Sequence, residues 1–156
     1  MAAKPRKMNA DAALVLEEFV PYRLSVLSNR ISARIAELYQ AEFDLSVTEW
    51  RIIAVLGRFH ALSANEVAAR TAMDKVTVSR TVARLLERKL LKRKFDAVDR
   101  RKSILDLSAS GTRLHAQIAP LALALEARLL SGFNTLEHEA LEALFDKLEA
   151  GLASLS

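Results

Sequence analysis

DKVTVSRTVARLLER, residues 74–88, is the stretch that decides the fold. Asp74 is a good N-cap, because its carboxylate can accept a hydrogen bond from the unpaired amides of a first helical turn. Four apolar side chains then recur at the spacing of a single helix face: Val78, Val82, Leu85 and Leu86. This periodicity predicts a helix that begins after Asp74 and buries one side.

The opposite face of this helix is expected to carry hydroxyls near its start and arginines further along: Thr77, Arg80, Thr81, Arg84 and Arg88. Short polar side chains can contact base edges in a major groove, and arginine can bind guanine or phosphate. An ordinary amphipathic helix with a solvated basic face has the same pattern. The helix alone therefore favours neither interpretation, and the neighbouring segments decide between them.

Shorter helical segments precede the stretch. We expect Thr48 to cap a helix that runs through Arg58 and turns these side chains inward: Ile52, Ile53, Val55, Leu56 and Phe59. Ser63 and Glu66 have the spacing of a capping box, which begins a second helix, and residues 71–73 form a tight turn. Three helices with such a connection before the third indicate a winged helix-turn-helix module.

A hairpin is predicted after the third helix, with strands over residues 90–95 and 103–107. Its tip holds Asp99, Arg100, Arg101 and Lys102. Three consecutive cations repel one another unless counter-charge is near, which Asp99 supplies in part and a phosphate backbone could complete. An arginine at such a tip can enter a minor groove. The alternative is a solvated loop.

Basic side chains are concentrated in the middle of the chain. Residues 47–107 carry 14 basic and 7 acidic side chains, whereas residues 1–46 carry 6 of each and residues 108–156 carry 3 basic and 6 acidic. This distribution favours a polyanion as partner. A membrane is not expected, because the cations do not line one long amphipathic helix. The absence of cysteine, of a signal peptide and of a long apolar run fits a cytoplasmic protein.

The expected fold is mainly α with a small β-wing, a winged helix-turn-helix module plus a helical dimerisation region. We divide it into a flexible basic arm (1–11), an N-terminal dimerisation helix (12–46), the DNA-binding module (47–107) and C-terminal dimerisation helices (108–156). Pro21 should interrupt the first helix near its start. Ser108 and Thr135 should cap the last two helices, whose leucines repeat at intervals of three and four and suggest a dimer seam.

Three segments resemble the MarR family of bacterial winged-helix regulators: residues 74–80, Asp99-Arg100-Arg101, and the run from Leu105 to Gly111. The likeness extends from the first helix to the end of the chain. It implies a homodimer with intertwined terminal helices and two modules facing one duplex. It also implies that Thr77, Ser79 and Arg80 lie at the major groove, that Arg101 enters the minor groove and that Asp99 orients the wing arginines. With their basic neighbours, the expected contacts to double-stranded DNA are Lys75, Thr77, Ser79, Arg80, Arg84, Arg100, Arg101 and Lys102.

The resemblance leaves two points open. Lys89 stands where the family usually has glycine, so the turn before the wing is undetermined. Peroxide-sensing relatives use cysteine, which this chain lacks. Any signal should then be a small ligand or nothing, because a regulator that binds DNA without an effector would have the same sequence features. In the family such ligands are often aromatic acids bound between the dimer helices and the DNA-binding module. Candidate wall residues are Tyr22, Ser28, Trp50, Arg51 and His60, although packing or solvation would also explain them.

The sequence thus predicts a sequence-specific regulator, a repressor that binds a pseudo-palindromic operator as a homodimer and is released by a small ligand. An enzyme is not expected, because His60, His115 and His138 lie on different elements and no metal-ligand cluster, phosphate loop or nucleophile elbow is present. No cofactor and no metal are expected. The alternative is a dimeric winged-helix adaptor that binds protein, but an adaptor has no need of the basic middle segment.

Overall fold

The computed structural model describes residues 14–95 and 103–155. Within these ranges the helices are α1 (Val20–Phe43), α2 (Val47–Phe59), α3 (Ala64–Thr71), α4 (Lys75–Glu87), α5 (Ala109–Leu129) and α6 (Thr135–Ala153). The strands are β1 (Leu62–Ser63), β2 (Leu91–Phe95) and β3 (Ser103–Leu107). A mainly helical chain with a small wing is therefore confirmed.

The first long helix begins later than the sequence suggested. A 3-10 turn (Leu16–Glu18) comes first, and the backbone is extended at Phe19 before α1 starts. Pro21 is the second residue of α1, where no intrahelical bond to its nitrogen is needed, so proline is tolerated. The expected interruption is thus the start of the helix. Its other end is Asp44, which has a left-handed backbone with φ of 50°.

Two helix caps differ from the prediction. Ser46 rather than Thr48 caps α2: its Oγ accepts from the amide of Glu49 at 3.3 Å, and its own amide donates to Glu49 Oε2 at 2.8 Å. Asn134 rather than Thr135 caps α6 in the same reciprocal way, with Glu137. In both cases the cap is the residue three positions before a glutamate, because two amides are then satisfied at once. The capping box predicted at the start of α3 is present.

The three strands form an antiparallel sheet in the order β1, β3, β2. Leu91 pairs with Leu107, and Arg93 with Leu105, so β2 starts one residue later than predicted. Strand β1 was not predicted at all. It has two residues, too few to show an alternating pattern, and only its pairing with β3 makes it a strand.

The turn between α4 and β2 takes the left-handed form that usually requires glycine. Lys89 has φ of 56°. Its amide donates to Leu86 O at 3.0 Å, and its carbonyl accepts the hydroxyls of Ser108 and Ser110, each at 2.7 Å. The start of α5 therefore holds this turn. The start of α5 lies so close to this turn that a Cβ at Gly111 would overlap a backbone carbonyl of the turn. This explains why the residue there is glycine.

A single core lies between α2, α3, α4, the sheet and the first half of α5. Its fully buried members include Ile52, Ile53, Leu56, Val67, Val78, Val82, Leu85, Leu105 and Ile118. Tyr39 and Leu45 attach the end of α1 to it. Phe59 was expected to point inward but is 46% exposed, with the guanidinium of Arg70 centred 3.9 Å above its ring. It stands on the last turn of α2, where the core ends.

The last helix is unlike the others, because none of its residues is buried. Its large apolar side chains are nevertheless numerous, and the exposed ones are Leu136, Leu144, Phe145, Leu148 and Leu152. On α5, Leu123 and Leu129 are exposed as well. The C-terminal part of the chain thus presents an apolar surface that the described part of the same chain does not cover.

Candidate nucleic-acid interface

The start of α4 is fixed by Asp74. One carboxylate oxygen accepts from the amide of Thr77 at 2.9 Å, and the other accepts from the Thr77 hydroxyl at 2.6 Å. These two hydrogen bonds, the side-chain one first, hold the pKa of Asp74 below its ordinary value. Since the Thr77 hydroxyl donates its proton to Asp74, only the lone pairs of Thr77 Oγ1 can form a hydrogen bond with another molecule. At a DNA surface Thr77 would therefore act as an acceptor.

One face of α4 is turned to solvent. Lys75, Ser79, Arg80 and Arg84 are exposed along it, while Val78, Val82 and Leu85 are buried on the opposite side. Successive members of the exposed row lie four, one and four positions apart, so they line one side of the helix. The row carries three cations and one hydroxyl, a composition suited to phosphates and base edges.

Thr81 is not on this face. We expected an outward hydroxyl at this position, but the residue is only 1% exposed. Its position is three residues after Val78 and four before Leu85, within the buried stripe. A threonine is small enough, and apolar enough at its methyl group, to pack there. The polar hydroxyl of Thr81 suggested a position on the outer face, whereas its spacing from Val78 and Leu85 places it on the buried face.

Arg88 also departs from its predicted place on the outer face. Its guanidinium turns back to the junction of α1 and α2, where Nη1 donates to Asp44 O at 2.7 Å and Nη2 to Phe43 O at 3.3 Å. Nη1 also lies 3.4 Å from Glu49 Oε1. Arg88, the C-cap of α4, therefore binds a distant part of the chain. It is not part of the exposed row.

Strand β2 adds cations that the sequence analysis did not include among its candidates. Lys92, Arg93 and Lys94 are all exposed. Lys92 Nζ lies 3.3 Å from Asp106 Oδ2 on the neighbouring strand. Burial raises the pKa of Asp106, but its bonds to Lys92 and to the Leu107 amide and the charges of Lys92 and His60 outweigh this and lower it. Three consecutive basic residues in a strand were the signal that could have identified them.

The tip of the wing lies outside the described residues. The predicted DNA contacts of the wing and their orienting acid belong to it: Arg100, Arg101, Lys102 and Asp99. Their roles stay predictions. The described strands β2 and β3 lead to the tip and away from it, so its two ends are antiparallel neighbours at Phe95 and Ser103.

Comparison with known proteins agrees with this arrangement. The sequence model of the MarR family matches residues 43–102. A MarR/EmrR family transcriptional regulator from Acinetobacter sp. ADP1 superposes with a TM-score of 0.83 at 27% identity, covering 90% of this chain and 99% of that one. Over residues 43–102 the chain thus resembles the MarR family of winged-helix transcriptional regulators, and along most of its length it has the fold of such a regulator.

Two other solved structures are similar to this chain. BpsR of Bordetella bronchiseptica, described with a mechanism for regulation of its DNA binding by 6-hydroxynicotinic acid, is 28% identical, with a TM-score of 0.75 over 88% of this chain and 98% of that one. A MarR family protein from Listeria monocytogenes, solved with 26mer DNA, is 16% identical, with a TM-score of 0.80 over 88% and 91%, and shares the fold. No curated protein matches the sequence.

The family and the fold are those of DNA-binding transcriptional regulators and not of enzymes. Among the described residues no group of three or more histidine, cysteine or acidic side chains is placed to hold a metal ion. In the same part of the chain, no helix is both long and apolar enough to cross a membrane.

The five candidate ligand-wall residues are dispersed in the regulator. Tyr22 lines an open groove of about 420 Å³ at the start of α1, and Ser28 is exposed on the same helix. Trp50 stacks on His115 with ring centroids 5.8 Å apart. Arg51 donates to Ser32 Oγ at 3.0 Å, and His60 Nδ1 lies 3.7 Å from Asp106 Oδ1. Their role in ligand binding stays a prediction.

A larger groove of about 620 Å³ lies between α1 and α5. Its lining is mostly apolar but also contains three arginines and one glutamate; it includes Leu27, Arg30, Arg34, Leu125, Glu126, Arg128 and Leu129. Such a groove can accept an apolar body that carries a negative charge. This groove could not be predicted from the sequence, because it is formed by two helices that are far apart along the chain.

Proposed function

We propose that this protein is a repressor of the MarR type that binds a pseudo-palindromic operator as a homodimer and is released by a small aromatic acid. The observation that carries the proposal is the exposed row Lys75, Ser79, Arg80 and Arg84 on a helix whose other face is buried. A helix in this position of a helix-turn-helix enters the major groove with its N-terminal half. We therefore use the name recognition helix for α4 from here on.

The proposed division of labour follows the charges of the module. Arg80 and Ser79 would contact base edges, and Thr77 would accept a hydrogen bond from a base. Lys75 and Arg84 would bind phosphates, so that binding weakens as salt rises. At the wing, Arg101 would enter the minor groove, Arg100 and Lys102 would contact phosphates, and Asp99 would orient the arginines.

The homodimer is supported by the uncovered apolar side chains of α5 and α6. Two copies related by a two-fold axis could bury these surfaces against each other. The two recognition helices would then read half-sites about 10 base pairs apart, centre to centre. In this arrangement residues 12–46 and 108–156 dimerise, and residues 47–107 bind DNA.

The test of DNA binding is fluorescence anisotropy on a duplex that carries the chain's own promoter. We expect Arg80→Ala together with Arg101→Ala to weaken binding by about 100-fold, because each loses a contact worth about 1–3 kcal/mol. Arg113→Ala, at an exposed position of α5, is the matched control and should bind like the unchanged protein. Full binding by the double variant would reject the proposed contacts.

The ligand is proposed from the aromatic acid that regulates DNA binding by BpsR. The test adds 6-hydroxynicotinic acid, and separately nicotinamide as an uncharged control, to the protein–DNA complex. We expect the acid alone to release DNA, since a ligand shifts the equilibrium only as far as it binds the released state more tightly. Release that persists unchanged in Arg51→Gln and in Tyr22→Ala would remove these residues from the proposed site.

Repression is tested separately from binding. A reporter gene under the chain's own promoter is measured with and without the protein, and we expect its expression to fall when the protein is present. A rise would identify an activator, and it would leave the proposed DNA contacts standing.

A further inference from the structure

Arg88 is the side chain that ties the end of the recognition helix to the end of α1. Helix α4 packs on α2, α3 and β2, while α1 packs on α2 and α5. The guanidinium of Arg88 bridges the two at the carbonyl oxygens of Phe43 and Asp44, 3.3 and 2.7 Å away. These carbonyls belong to the last residue of α1 and to its cap.

The position suits a cation for two reasons. The C-terminal end of α1 carries the negative end of the helix dipole, and its last carbonyls have no partner within the helix. The second reason is Glu49, which is only 5% exposed and lies 3.4 Å from the same guanidinium. Glu49 itself closes the capping box of α2 with Ser46. One fork of donors therefore joins α1, α2 and α4.

The bridge depends on the shape of arginine. Its planar fork reaches two carbonyls and one carboxylate in fixed directions, which the single ammonium of lysine cannot reproduce. Arg84, one turn earlier on the same face of α4, is exposed and leaves its donors for another molecule. Two neighbouring arginines of one helix thus have different surroundings and can be compared directly.

We propose that Arg88 is a positioning residue, which fixes the angle between the recognition helix and α1 and so sets the separation of the two recognition helices in the dimer. The inference rests on the homodimer and the DNA contacts of the proposed function. It assigns to Arg88 no contact with DNA. Since α1 belongs to the proposed dimerisation region, a fixed angle within each copy becomes a fixed distance between the two copies.

Loss of the bridge should therefore affect paired half-sites only. If the recognition helices can adopt several separations, only those dimers with the correct separation bind both half-sites. The apparent affinity is then the intrinsic affinity multiplied by the fraction of such dimers. Binding to a single half-site requires no particular separation. A phosphate contact would instead affect both kinds of duplex alike.

The probes are obtained with the unchanged protein. A duplex is selected from a random-sequence pool, and derivatives carry one intact half-site or have one to four base pairs inserted between the half-sites. Arg88→Gln should weaken binding to the selected duplex about tenfold, with little change on the single half-site and a flatter dependence on spacing. Arg84→Gln, the matched control, should weaken both duplexes by a similar factor and reduce the salt dependence.

A second measurement needs no DNA. The chain contains no cysteine, so Ala83→Cys, at an exposed position of α4, provides one spin-label site in each copy. Pulsed electron resonance then gives the distribution of distances between the two recognition helices. We expect a narrow distribution with Arg88 and a broad one in Arg88→Gln. Equal distributions would overturn the inference even if DNA binding is lost.

The possible outcomes distinguish a failure of the inference about Arg88 from a failure of the proposed function. If the unchanged protein selects no duplex and the labels report no second copy, the proposed function fails and the inference with it. If the unchanged protein binds paired half-sites but Arg88→Gln matches it, or matches Arg84→Gln, the inference alone fails. If circular dichroism shows that Arg88→Gln does not fold, Arg88→Lys is measured in its place. This variant keeps the charge beside Glu49 but loses the planar fork. A sharp optimum of DNA affinity at one spacing in Arg88→Lys would overturn the inference.

Discussion

Glu49 is a carboxylate almost wholly removed from solvent, and its surroundings explain how the fold tolerates it. Burial raises the pKa of this group, but the hydrogen bonds from the amide and hydroxyl of Ser46 and the charges of Arg84 and Arg88 outweigh burial, so the pKa lies below its ordinary value. The charged form is therefore the one that the folded state favours. A buried acid that caps one helix and binds an arginine from another contributes to stability only while it is ionised.

The substitution Glu49→Gln tests this at the scale of one residue. We expect the free energy of unfolding at pH 7 to fall by about 2 kcal/mol, as for the loss of hydrogen bonds to a charged group. Because the folded-state pKa is depressed, the contribution is complete above the ordinary value of 4.5 and is lost as pH falls through the folded-state pKa. The difference between the two proteins should thus shrink in acid.

Urea unfolding between pH 7 and pH 3 measures this difference. Glu87→Gln, an exposed position at the end of α4, is the control and should change the stability little at any pH. A deficit for Glu49→Gln that stays constant down to pH 3 would contradict the assignment to ionisation and would point to packing alone.

At the scale of the element, the recognition helix is followed by a left-handed residue at a position where the sequence has lysine and not glycine. Lys89 adopts φ of 56°, which lysine disfavours, because its Cβ is crowded there. The strain is offset by what surrounds the turn: hydroxyls of Ser108 and Ser110 bind the Lys89 carbonyl, and the Leu90 amide donates to Leu85 O at 2.9 Å. The start of α5 thus determines how α4 ends and where β2 begins.

We expect Lys89→Gly to stabilise the protein by about 1 kcal/mol, since glycine adopts this backbone without crowding. Lys89→Ala is the matched control, because it removes the same charge and the same long side chain but keeps the Cβ. Thermal and urea unfolding of the two variants compare them directly. If alanine gains as much as glycine, the effect comes from the side chain and not from the backbone.

At the scale of the whole molecule, the described part of the chain leaves an apolar surface uncovered. The winged helix-turn-helix module has a closed core, whereas α6 has no buried residue and a row of exposed leucines. A helix with such a face needs a second surface, and the proposed dimer supplies it from an identical chain. Acidic residues of α6, including Glu139 and Glu142, keep the remaining face polar.

Leu144→Glu combined with Leu148→Glu should convert the protein to a monomer, because two charges would then enter the dimer seam without partners. Light scattering coupled to size-exclusion chromatography measures the mass, which should halve. Ala143→Glu is the control: it adds one charge on the opposite side of α6 and should leave the mass unchanged. A monomeric mass for the unchanged protein would contradict the dimer from the start.

Local patterns in the sequence determined the helices, the wing strands and the face of α4 that is exposed. Asp74 could be recognised as a cap, and Val78, Val82 and Leu85 as a buried stripe, because hydrogen bonds and side-chain periodicity within one helix depend on near neighbours. Where two local patterns competed, the choice could be wrong. Thr48 and Ser46 both suit a cap, and Thr81 is polar at an inward spacing.

The tertiary structure alone decided the contacts between distant parts of the chain. Arg88 looks like one more outward cation, yet its acceptor at Asp44 lies 44 positions earlier in the sequence. Strand β1 exists only through β3, and the left-handed turn at Lys89 is held by serines of α5. No spacing rule contains such partners, because a helix or strand sets the direction of a side chain, and only the packing of the whole chain sets what that side chain meets.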